Sequence, residues 1–164
     1  MTYKALFLGV LMTCTSLCAQ EKVEQPKNWR FESHFMIGRE DVGNKILGLS
    51  VSRKVLNIFS AYGEVDLMPD DDVFSKQRIN AEGGIKARVE TSMGLYLSAG
   101  TGLAIMSSRG QGLATRWQLP NTLEAGLYNN LGSIGFIFKH FSNGTSNWRN
   151  SGRNYIGFQV GHAF

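Results

Sequence analysis

Near the C-terminal end, the run Lys139-His140-Phe141-Ser142-Asn143-Gly144 is followed, after a short polar stretch, by Asn150-Ser151-Gly152-Arg153-Asn154. A hydroxyl, an imidazole and a carboxamide in one patch make a nucleophile, a base and an orienting group. In that arrangement His140 takes the proton of Ser142. The Asn154 carbonyl oxygen accepts a hydrogen bond from the other ring nitrogen and fixes the tautomer. The Asn143 amide and the Gly144 backbone N–H are natural donors to a developing oxyanion. The chemistry is that of nucleophilic catalysis, and it requires no cofactor. Trp148, Arg149 and Arg153 accompany the patch, and an indole with two guanidinium groups suits the anchoring of a phosphorylated glycolipid. A solvated loop beside an aromatic belt has the same composition. Ser, Asn and His are also ordinary at the rim of a membrane barrel, so spacing alone leaves the catalytic reading open.

The elements that must carry these residues show a period of two from Trp29 onward, which sends successive side chains to opposite faces of a strand. It recurs eight times, and the clearest case sets Ile79, Ala81, Ile85, Ala87 and Val89 against Asn80, Glu82, Lys86, Arg88 and Glu90. His140 and Ser142 continue the face of Ile134, Phe136 and Phe138. Asn154 continues that of Ile156, Phe158 and Val160. Short links near Arg53 to Leu56, Glu90 to Met93 and Asn129 to Gly132 alternate with long polar ones at Glu40 to Lys45, Pro69 to Lys76, Ser107 to Arg116 and Asn143 to Arg153. That asymmetry is the one of short periplasmic turns and long external loops. The expected fold is all-β, an eight-stranded antiparallel transmembrane β-barrel, with strands near the ~9–11 residues that a tilted membrane strand needs.

Alternation does not by itself say which face looks outward, and a lipocalin-like soluble barrel has the same period with the apolar face turned in. The other face here mixes Glu64, Asp66, Glu82, Lys86, Arg88, Glu90, Glu124 and Lys139 with glycines, as a narrow interior of paired charges requires. The last strand, ending in Phe164, has the alternate apolar positions of a barrel-assembly signal. On this reading the apolar face meets lipid, and the three polar residues cluster beside the last external loop. Polar groups there are uncomfortable unless they satisfy each other or act on something.

Residues 1–19 read as a secretory signal, with Lys4 ahead of an apolar segment and Leu17-Cys18-Ala19 before Gln20, and residues 20–164 as one barrel domain. Both cysteines, Cys14 and Cys18, fall in that signal, so the remainder has no thiol; a lipoprotein with either cysteine acylated is the weaker alternative. No later stretch reaches the ~18 consecutive apolar residues of a spanning helix. The net charge of +4 drops to +3 without Lys4, a mild bias that suits an anionic membrane surface and lacks the clustered basic face of a nucleic-acid binder. Asp70-Asp71-Asp72 reads as a solvated acidic loop, since no calcium-loop spacing follows it. His34 and His162 read as structural, and the sequon Asn143-Gly144-Thr145 as accidental.

The run His140-Phe141-Ser142-Asn143-Gly144 near the end of a small barrel, with Asn150-x-Gly152-x-Asn154 after it, resembles the PagL family of outer-membrane lipid A 3-O-deacylases. The resemblance implies an esterase in the bacterial outer membrane that removes the 3-O-linked hydroxyacyl chain of lipid A, its partner in the outer leaflet. It implies Ser142 as nucleophile, His140 as base and Asn143 with Gly144 as oxyanion donors. The family's acid is a Glu, and its position falls here on Asn154. The alternative function is a non-catalytic structural or adhesive barrel in which the change to Asn has ended activity. A homodimer is compatible with either.

Overall fold

The computed structural model describes residues 28–38, 45–68, 78–108, 115–142 and 152–164. They form eight strands: β1 (Trp29–Gly38), β2 (Lys45–Leu56), β3 (Phe59–Met68), β4 (Arg78–Glu90), β5 (Leu95–Met106), β6 (Trp117–Asn129), β7 (Gly132–Ser142) and β8 (Arg153–Ala163). Each pairs antiparallel with the next, and β8 returns to β1 to close the barrel. Closure leaves no unpaired edge, a condition for crossing hydrocarbon with strands.

The apolar face is outside. Phe136 and Phe158 are 60% and 58% exposed, whereas Ile137 and Gln159, one residue further along each strand, are both 2% exposed. That difference excludes a lipocalin-like arrangement, because the lumen is filled with charge. Lys139 is fully buried and its ammonium meets Glu64, Asp66 and Glu82, the last two at 3.0 Å each. Below it, Lys86 bridges Glu32 at 2.9 Å and Glu124 at 2.7 Å. Gln159 donates to Glu124 at 2.9 Å. His34 has partners that its sequence pattern did not reveal: Nε2 lies 2.9 Å from Asp66 and 3.3 Å from Glu64. These three residues bring ligand-type atoms within 4.8 Å of one another, and the Lys139 ammonium engages the same two carboxylates. Toward the other end the lumen becomes apolar, with Met36, Ile46, Met68, Met106, Phe141 and Tyr155 packed together. That plug was not expected, since the inward face turns from charged to apolar only at the mouth ends of strands such as β1, β3 and β7, while β4 and β6 keep Arg78 and Gln118 inward.

One end of the barrel carries tight turns and both described chain ends. Trp29 and Phe164 exchange backbone hydrogen bonds of 3.1 and 2.9 Å. The β2–β3 turn falls at Asn57-Ile58, beyond the Arg53 to Leu56 link expected. β2 runs on through a register shift between Lys54 and Leu56, and Asn57 takes the left-handed φ of 42°, which Asn tolerates better than most residues. The other two turns lie at Thr91–Gly94 and Asn130–Leu131. The connections 39–44, 69–77, 109–114 and 143–151 are outside the described residues, and Asp70, Asp71 and Asp72 are among them.

β6 starts at Trp117, six residues earlier than the alternation from Leu123 suggests. Pro120 hides this extension, because a residue without an N–H argues against a strand interior. The barrel accommodates it at an interruption: the β5–β6 register passes from Thr101↔Asn121 to Ala104↔Gln118 with no pair between, while Pro120 keeps its place opposite Phe141 of β7.

Candidate active site

The β7–β8 register sets His140 directly across from Asn154. Both lie on the outward face, half-buried, as does Ser142 at the next outward position of β7. His140 Nδ1 and Asn154 Oδ1 are 2.8 Å apart. A carboxamide oxygen only accepts, so this bond puts the imidazole proton on Nδ1 and leaves the Nε2 lone pair free to take a proton.

Gly152 completes the local geometry, and sequence reasoning gave it no role. Its φ is +69°, and a Cβ there would lie 2.7 Å from His140 Cε1, 3.1 Å from Nε2 and 2.9 Å from the Phe141 carbonyl oxygen. The missing side chain is therefore the space into which the imidazole leans. Gly152 has the same outward parity as Asn154 and lies one step closer to the barrel mouth. Asn154 holds the ring at Nδ1, and Nε2 lies on the side of Gly152. The signal available in the sequence was the glycine itself, two residues before the orienting amide.

Asn121 is a second residue that the sequence reading left unassigned. It lies on the outward face of β6, exposed, opposite His140 on the side away from Asn154. Extending the outward parity of Leu123 back by one step would have found it.

The other expected site residues divide. Asn143, Gly144, Trp148 and Arg149 lie outside the described residues. Arg153 is the first residue of β8, opposite Phe141, and shares the parity of the lumen-facing Tyr155. It therefore stands at the mouth of the barrel and is not on the lipid-facing side with His140. His162, at the turn end, bonds the Leu131 carbonyl at 2.9 Å and stacks on Phe164.

The fold and this patch define a transmembrane β-barrel that presents a hydroxyl, an imidazole and an amide to lipid from its last hairpin. The sequence model of the lipid A 3-O-deacylase (PagL) family matches residues 83–163, which run from β4 through β8 and include the whole patch. Over those residues the chain is similar to that family of outer-membrane ester hydrolases. Among solved structures, one described as the crystal structure of the outer membrane enzyme PagL is similar with a TM-score of 0.62, over 82% of this chain and 99% of that chain. The two are 14% identical, so this likeness concerns the fold. No curated protein sequence matches the chain.

Proposed function

We propose that the protein hydrolyses the 3-O-linked hydroxyacyl ester of lipid A in the outer leaflet, using Ser142 as nucleophile, His140 as base and Asn154 as the group that orients His140. The observation that carries this reading is the 2.8 Å bond from His140 Nδ1 to Asn154 Oδ1 on the lipid-facing side of the last hairpin. Ser142 occupies the next outward position. An imidazole with its Nδ1–H so occupied is a base at Nε2, and a base beside a hydroxyl on a surface bathed in acyl esters has an obvious substrate.

In the reaction Ser142 Oγ attacks the ester carbonyl carbon while its proton passes to His140 Nε2. The tetrahedral oxyanion is stabilised by the Asn143 amide and the Gly144 N–H. Collapse breaks the carbon–oxygen bond to the sugar, whose oxygen takes the proton from Nε2, and the acyl group stays on Ser142. Water then gives a proton to Nε2, attacks the acyl-enzyme and releases the fatty acid, returning the proton to Ser142. Trp148 and Arg149 are proposed to hold the headgroup at the membrane surface.

Asn154 distinguishes this site from one with a carboxylate. In a serine protease an Asp→Asn change costs about 10⁴ in kcat, because the amide imposes the wrong tautomer. Here the amide oxygen faces Nδ1, so the tautomer is the productive one, and what is missing is only the negative charge that would stabilise the imidazolium. The test is mass spectrometry of lipid A from cells expressing the wild type or Ser142→Ala. Loss of one hydroxyacyl chain with the wild type alone supports the enzyme. Unchanged lipid A with both would establish the non-catalytic barrel instead.

A further inference from the structure

The strand register draws one row of outward positions across four strands. Thr101 of β5 faces Asn121 of β6, Asn121 faces His140 of β7, and His140 faces Asn154 of β8. Beyond Thr101 the row reaches Ile85 of β4 and is apolar again. Along each strand the next outward positions are apolar as well: Ala99 and Leu103 flank Thr101, Leu119 and Leu123 flank Asn121, and Phe138 and Ile156 lie below His140 and Asn154. A polar track therefore crosses a greasy surface, and the candidate base stands in it.

The row also descends. Asn154 is the second residue of β8 from the barrel mouth and His140 the third residue of β7, while Asn121 is the fifth of β6 and Thr101 the sixth of β5. Asn121 lies four residues below Trp117, about 13 Å along the strand, between the outward-facing Leu119 and Leu123. An amide in hydrocarbon carries a desolvation cost unless it is hydrogen-bonded. His140 and Asn154 satisfy one another. The Asn121 carboxamide makes one hydrogen bond among the described residues, at 3.5 Å to the Leu119 carbonyl, and so retains most of its capacity as donor and acceptor.

We propose that Asn121, with Thr101 behind it, is a subsite that hydrogen-bonds a hydroxyl on the acyl chain being released. Three properties select that ligand. The subsite is neutral and hence suited to a neutral group. It is flanked by apolar outward residues that suit acyl chains, whose polar groups are the substituents they carry. It stands one strand, ~4.8 Å, from His140, the distance at which a substituent a carbon or two beyond the ester carbonyl falls when that carbonyl is at Ser142. Asn121 is a binding residue in this account and takes no part in proton transfer. The inference rests on the hydrolase reading above.

The experiment compares two chromogenic esters, a straight-chain acyl ester and its 3-hydroxy counterpart, on the purified full chain in detergent micelles. The quantity read is the ratio of their kcat/KM values, from which a general loss of activity cancels. The wild type is expected to favour the hydroxylated ester by about fivefold to tenfold, the worth of one neutral hydrogen bond. Asn121→Leu brings the ratio toward one, and Thr101→Val, a smaller lesion, lowers it partway. A wild type without preference, or an Asn121→Leu ratio equal to that of the wild type, overturns the subsite. Hydrolysis of neither ester by the wild type overturns the hydrolase reading itself. Heat-modifiable migration in gels confirms that both variants are folded barrels.

Discussion

Three outward residues, His140, Asn154 and Gly152, carry the arrangement on which the proposed chemistry depends, and each would fail in its own way. Asn154→Glu restores a carboxylate to imidazole Nδ1 and adds the charge that stabilises the imidazolium during proton transfer. The expected outcome is deacylation at or above the wild-type rate, and a clear loss in a lipid A time course would refute the role given to Asn154. Gly152 can be tested for two effects separately. Gly152→Ala places a Cβ against His140 and strains the backbone at φ +69°; Gly152→Asn places the same Cβ but tolerates that φ. If the vacancy beside the imidazole is what counts, both variants lose kcat by roughly 10² with KM little changed. Recovery of kcat in Gly152→Asn alone would assign the effect to backbone strain.

At the scale of the element, β7 performs two tasks by alternation: His140 and Ser142 go out to lipid while Lys139, between Phe138 and His140, goes into the lumen. Lys139 ties β7 to β3 and β4 through Glu64, Asp66 and Glu82. Lys139→Ala leaves three buried carboxylates facing one another, and breaking such a network by removing one partner costs about 3–5 kcal/mol. A lower midpoint in urea unfolding of the barrel in lipid vesicles is the expected result, with part of the loss recovered when Glu64→Gln is added. An unchanged midpoint would mean that solvent or the remaining partners compensate for the ammonium. Bordering β7, β6 shows how one residue can mask an element: Pro120 removes an N–H, interrupts the ladder to β5, and conceals the upper turns of a strand that bears Asn121.

The whole molecule is organised by two opposed demands. Its outer surface must be apolar to lie in a bilayer, and its interior must then hold the charges that the same alternation sends inward. The lumen meets this with two ammonium-centred clusters and an apolar plug toward the mouth. It is filled by side chains, as narrow barrels are. The proposed function accordingly uses the outside, where a lipid substrate would be a neighbour in the same layer.

Strand number, the parity of nearly every residue and the outward direction of His140, Ser142 and Asn154 were determined by the sequence alone, because a strand has a fixed period and a membrane permits one face to be apolar throughout. The motif that carries the family resemblance was equally local, the run His140-Phe141-Ser142-Asn143-Gly144. What joins separate strands was decided only by the tertiary structure. Register placed His140 between Asn154 and Asn121, gave His34 its carboxylates and turned Arg153 to the mouth, since pairing depends on shear and closure around the whole barrel, which no single strand encodes. The vacancy at Gly152 belongs to the same class: a glycine in a sequence is only an absent side chain, and its meaning comes from the ring that fills the space.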